Sequence, residues 1–86
     1  MPRVLALHRV IVPSADRPAH LERLQAMRAH YARMNCRFWA FEEAGVPGAY
    51  LEFVEAADAA TLEAARASAP EPPRDPGRIY REVELT

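Results

Sequence analysis

Two aromatic-rich segments near the middle of the chain are separated by a stretch that only has room to reverse direction. Asn35 to Ala44 reads N-C-R-F-W-A-F-E-E-A, Ala49 to Glu55 reads A-Y-L-E-F-V-E, and Gly45-Val46-Pro47-Gly48 lies between them. Aromatic and β-branched runs bounded by Gly and Pro read as strands, and a loop this short joins antiparallel neighbours. Taking Gly45 to Gly48 as the loop pairs Ala44 with Ala49. Glu43 then lies opposite Tyr50, Phe41 opposite Glu52 and Trp39 opposite Val54. On this register one face carries Arg37, Trp39, Phe41, Glu43, Tyr50, Glu52 and Val54. The other carries Cys36, Phe38, Ala40, Glu42, Leu51, Phe53 and Glu55. A slip of one residue exchanges the faces, so this assignment is an expectation for the structure to decide.

The flanking sequence supplies the remaining elements. Arg3 to Val12, R-V-L-A-L-H-R-V-I-V, is a first strand closed by Pro13. Asp16, Arg17 and Pro18 mark a helix start, and Leu21, Leu24, Met27, Tyr31 and Met34 recur at spacings of three and four, predicting a helix to about Arg33. Asp58 caps a second helix through Ser68. Pro70, Pro72, Pro73 and Pro76 end it and predict a stiff, polyproline-like connection over residues 70–77. Arg78 to Leu85 alternates apolar and charged residues as a fourth strand. The order β-α-β-β-α-β is the ferredoxin-like plan, an α+β fold with a four-stranded antiparallel sheet and two helices on one face.

Composition narrows the function. At 86 residues, half of them apolar, residues 1–86 make a single domain. All 11 basic residues are arginine and the formal net charge is −1, so no basic field recruits nucleic acid or anionic lipid. The missing lysine fits a genome bias, and it removes Schiff-base chemistry. The lone Cys36 forbids an intrachain disulfide and any Cys-x-x-Cys metal site. Arg3, His8 and Arg9 break the only long apolar stretch, so neither a membrane span nor a signal peptide is expected and the protein reads as cytoplasmic.

Trp39, Phe41, Tyr50 and Val54 make the helix-free face too apolar to stand bare. A second copy of the same sheet covers it most simply, because a two-fold contact needs one self-complementary surface. A homodimer through that face is therefore expected.

With these elements in place the chain resembles the dimeric α/β-barrel superfamily, which includes antibiotic-biosynthesis-monooxygenase-like, EthD-like and NIPSNAP-like domains. The likeness rests on the element order over nearly the whole chain, on the second strand F-W-A-F-E-E-A, and on Y-L-E-F-V-E-A-A-D leading into the second helix. The resemblance implies a barrel formed by two sheets, a pocket between sheet and helices, and, in some members, oxygenation of phenolic or quinol substrates without metal or cofactor. Haem-degrading relatives carry an asparagine on the first strand and a histidine on a later helix. This sequence has neither, so haem is not carried over and no cofactor is expected.

Two functions follow. The first is a cofactor-independent, monooxygenase-like enzyme acting on a small aromatic or enolisable compound, with His8 as base or orienting donor and Tyr31, Trp39, Phe41 and Tyr50 as ligand-binding residues. The second is a non-catalytic homodimeric module that senses a ligand or only assembles, its aromatic face used up by the dimer contact. His20 and His30 stand ten residues apart on one helix, unlike an i, i+4 metal pair, and no metal site is expected. Cys36 reads as a small buried hydrophobe.

Overall fold

A computed structural model describes residues 2–71 and 78–85. Its elements are β1 (Val4–Ile11), α1 (Arg17–Arg33), β2 (Arg37–Glu42), β3 (Ala49–Ala56), α2 (Ala59–Ala67) and β4 (Arg78–Arg81), with a 3-10 turn at Ser14–Asp16 leading into α1. The sheet order is β2-β3-β1-β4, and all neighbours are antiparallel. β1 and β2 therefore run parallel with β3 inserted between them, the split βαβ arrangement of a ferredoxin-like α+β fold. The polyproline-like connection expected over residues 70–77 falls mostly outside the described residues.

Local chemistry sets the helix ends. Pro18 occupies the first turn of α1, where a missing N–H costs little. Asn35 takes a left-handed φ of 62°, and the Cys36 N–H returns to the Tyr31 carbonyl at 2.8 Å, closing the helix one residue before the strand. β2 accordingly starts at Arg37 instead of Asn35. At α2 the Asp58 carboxylate accepts the Thr61 N–H at 2.7 Å, as an N-cap should.

The core lies between the sheet and the helices. Val4 and Ala6 of β1, Val54 and Ala56 of β3, Tyr31 of α1, and Leu62 and Ala65 of α2 pack together with Cys36. Small residues at 6, 56 and 65 let α2 approach the sheet closely, and the His30 ring ties the two helices by donating from Nε2 to the Ala65 carbonyl at 2.8 Å.

The hairpin register differs by one residue from the expected one. Glu42 pairs with Tyr50, Phe41 with Leu51, Ala40 with Glu52, Trp39 with Phe53, Phe38 with Val54 and Arg37 with Glu55. The loop is odd in length because Glu43 still belongs to the ladder. Its N–H donates to the Ala49 carbonyl at 2.8 Å, and the reversal is made over residues 44–48 with Gly48 at φ 94°. A Cβ at Gly48 would lie 2.9 Å from the Val12 carbonyl oxygen, while the Gly48 oxygen accepts the Val12 N–H at 2.7 Å. The glycine thus locks the turn against the end of β1.

This shift redistributes the faces. Tyr50, Glu52 and Val54, expected on the open side beside Trp39, lie under the helices and are buried. Leu51 and Phe53 go the other way. The helix-free face carries Trp39 and Phe41 of β2, Leu51 and Phe53 of β3, Leu5 and Leu7 of β1, and Tyr80 of β4. Phe41 meets Phe53 edge-on, with centroids 5.7 Å apart. Ion pairs mark both ends of this face: Arg9 with Glu43 at 3.0 Å, and Arg3 with Glu55 at 2.9 Å and Glu82 at 2.8 Å. The face is more uniformly apolar than the expected register made it.

Candidate functional site

The most unusual chemistry lies under the amino-terminal half of α1. In the alternation Tyr50-Glu52-Val54-Ala56 that β3 turns toward the helices, a carboxylate interrupts an apolar row. Glu52 is 7% exposed, and its Oε2 has no hydrogen-bond partner among the described residues. Above it, His20 of α1 is 3% exposed, and both of its ring nitrogens are likewise unpartnered. Buried polar atoms are almost always satisfied, because each orphan costs about 1–3 kcal/mol. Three such atoms in one small region make this the candidate site.

The surroundings hold these groups in place. The His20 ring lies 4.7 Å from the Tyr50 ring, centroid to centroid, tilted by 49°. Tyr50 is fixed in turn by Arg17, whose Nη1 donates to the phenol oxygen at 2.7 Å and to Glu42 Oε1 at 3.0 Å. The Gly48 N–H, donated to Glu42 Oε2 at 3.0 Å, and then the Arg17 guanidinium hold the Glu42 carboxyl below its ordinary range. The first turn of α1 is thereby pinned to the hairpin.

Electrostatics set the state of His20. Burial pushes its imidazole below the ordinary 6.5, more strongly than the charge of Glu52 raises it. The ring is neutral at pH 7 and offers one donor and one acceptor. Glu52 lies between His8 on β1 and Ala40 on β2, its register partners on either side. Both neighbours are exposed although they face the helix layer, so the buried carboxylate sits beside uncovered sheet on both flanks.

The sequence-predicted residues divide between the two faces. His8 lies on the helix side, directly across from Glu52, and is exposed. Tyr50 lies on the same side, beneath His20. Tyr31 is also on this side but belongs to the core, stacked on Phe38 at 5.8 Å and meeting His30 edge-on at 5.2 Å. Burial above all raises its phenol, so it stays protonated. Trp39 and Phe41 lie on the opposite, helix-free face, away from His8 and Tyr50. Burial likewise raises the Cys36 thiol, which keeps it a poor nucleophile.

His20, Glu52 and Arg17 were read from the sequence but not as site residues. The signal for His20 was present: positions 20, 24, 27, 31 and 34 continue the three-and-four spacing one turn further back, whereas Leu21 points outward and is exposed. The signal for Glu52 depended on the register. Among the described residues, no group of three or more His, Cys, Asp or Glu side chains is placed to hold a metal ion. No described helix is long and apolar enough to cross a membrane.

No family model matches the chain, and no curated protein matches it. Among solved structures, that of Rv0793 from Mycobacterium tuberculosis is similar over 100% of this chain and 97% of the other, at 18% sequence identity and a TM-score of 0.63. This likeness spans the entire βαββαβ order, and the chain is an α+β protein of the ferredoxin-like fold.

Proposed function

We propose that this chain is a member of the dimeric α/β-barrel superfamily and a monooxygenase-like enzyme that acts on a small aromatic or enolisable compound without a cofactor. The observation that carries the reading is the buried Glu52 carboxylate, whose Oε2 has no partner among the described residues, together with the buried neutral imidazole of His20, which has none on either nitrogen. A buried carboxylate and a buried neutral imidazole are bases suited to removing the proton of a phenol or an activated C–H. The resulting carbanion reduces dioxygen. When a CH2 group is oxidised to a carbonyl, one oxygen atom enters the product and the other leaves as water, so the substrate supplies all the electrons. Tyr50 positions His20, and His8 sits at the exposed flank of Glu52.

The homodimer belongs to the same proposal. Trp39, Phe41, Leu51, Phe53, Leu5, Leu7 and Tyr80 form one apolar surface framed by ion pairs, the anatomy of an interface with a dry centre and a polar rim. Soluble monomers rarely leave more than a few hundred Å² of contiguous apolar surface uncovered. Two copies related by a two-fold axis cover both surfaces at once.

One observation favours the second reading, a non-catalytic dimeric module. Trp39 and Phe41 lie on the face the dimer would consume and are removed from the polar groups. Oxygen uptake separates the two. The enzyme reading expects turnover on at least one member of a panel of phenols and quinols, reduced at least about 100-fold by Glu52→Gln. A folded dimer with no uptake across the panel contradicts it and leaves the module.

A further inference from the structure

Acids and arginines pair readily along this chain. Arg3 meets Glu55 at 2.9 Å and Glu82 at 2.8 Å, Arg9 meets Glu43 at 3.0 Å, Arg17 meets Glu42 at 3.0 Å, and Arg23 meets Glu71 at 2.7 Å. Glu52 forms no ion pair among the described residues, although it is the one buried acid among them, at 7% exposed. A carboxylate removed from water needs a countercharge more than one at the surface does. His20 does not supply it, because burial pushes its imidazole below the ordinary range and leaves the ring neutral at pH 7.

We infer that the ligand of this site is an organic cation, a small aromatic amine whose protonated nitrogen pairs with Glu52. The inference rests on the site proposed above and names its substrate class. An ammonium donates to Glu52 Oε2 in a charge-assisted hydrogen bond, which is stronger than the one a neutral hydroxyl makes. With Glu52 holding the cation, neutral His20 is the base that takes the acidic proton of the substrate onto a ring nitrogen.

Shape agrees with charge. β2 is an outer strand, and Ala40, the register partner of Glu52 on that strand, is exposed although it faces the helix layer. Two residues back on the same face, Phe38 is half-buried and stacked on Tyr31 at 5.8 Å. An aromatic ring entering from the β2 edge has the small Ala40 beneath it and Phe38 beside it. Neighbouring strands lie about 4.8 Å apart, so an ammonium on a short alkyl link reaches from the ring to Glu52 on the next strand.

Tyramine and para-propylphenol test the inference, because they share a phenol and a chain of equal length and differ in ending on an ammonium or a methyl. Affinities are read from the His20 imidazole resonances in the intact chain, in Glu52→Gln, and in Glu63→Gln, which removes the same charge from an exposed position of α2. The amine predicts tyramine bound at least about tenfold more tightly than para-propylphenol in the intact chain and in Glu63→Gln. That preference persists at high salt, as a buried pair requires, and is lost in Glu52→Gln. The comparison of the two ligands in the intact chain stands without either variant. Para-propylphenol bound as tightly as tyramine, or a preference that salt abolishes or that survives Glu52→Gln, overturns the amine and leaves the phenol site standing. Neither ligand moving the His20 resonances overturns both.

Discussion

His20 lies over the Tyr50 ring at 4.7 Å, and neither of its nitrogens is satisfied, although the residue is almost wholly buried. A histidine held by ring contact alone, next to an equally unsatisfied carboxylate, is poorly explained by stability. On the proposed function, a ligand carrying hydrogen-bonding groups would satisfy these atoms. Several measurable consequences follow from this relationship and from the faces set by the hairpin.

Replacing Glu52 with methionine removes a buried carboxylate oxygen that has no partner and keeps an unbranched side chain of similar size. The fold should be stabilised by about 1–3 kcal/mol, read as an upward shift in denaturant midpoint, while ligand binding and turnover are lost. A destabilised Glu52→Met would mean that the carboxylate serves the fold.

Stability should depend on pH through His20. Its folded-state value lies below the ordinary 6.5 because burial disfavours the cation. Above that ordinary value both states are neutral and contribute no slope. As pH falls below about 6.5 the unfolded chain takes up a proton that the folded chain refuses, so stability declines until the folded value is reached. Denaturant titrations from pH 7.5 to 5 should show this slope in the intact protein and a smaller one in His20→Gln. Losses tied to Glu42, Glu43, Asp58 and Glu82, all held below their ordinary values by hydrogen bonds, belong to more acid solutions.

Phe53→Asp places a charge at the centre of the helix-free face, where Phe53 meets Phe41. The predicted result is a folded monomer at concentrations where the proposed dimer of the intact chain forms, seen by sedimentation velocity. His8→Ala, on the other side of the sheet, should leave the assembly unchanged.

Gly48→Ala forces a Cβ into the left-handed turn and toward the Val12 carbonyl oxygen at 2.9 Å. The cost should be about 1–3 kcal/mol by chemical denaturation. Gly45→Ala, with open space around its Cβ, should cost less.

The order of elements and the capping of α2 by Asp58 were legible in the sequence because each depends on local chemistry: periodicity, and a short acceptor at a helix start. The faces of the hairpin were not. Gly45-Val46-Pro47-Gly48 is compatible with an even or an odd reversal, and the choice was made by the Glu43 N–H joining the ladder and by Gly48 packing on Val12, a contact between residues far apart in sequence. Tyr50 was identified as a site residue but placed on the wrong face. Glu52 was not taken as a site residue for the same reason, since on the expected register it was an open-face charge. β4 is shorter than its alternating pattern suggested, and its ladder with β1 ends where β1 starts, at Val4.

The most direct test of the central claim is a titration followed through the His20 imidazole and Tyr50 ring resonances, using a small phenol as probe in the intact protein and in Glu52→Gln. The site proposed under α1 predicts saturable shifts at both residues and an affinity at least about tenfold weaker in Glu52→Gln, as expected when a charged hydrogen-bond acceptor is lost. Shifts confined to the helix-free face, or an affinity unchanged by Glu52→Gln, would contradict it.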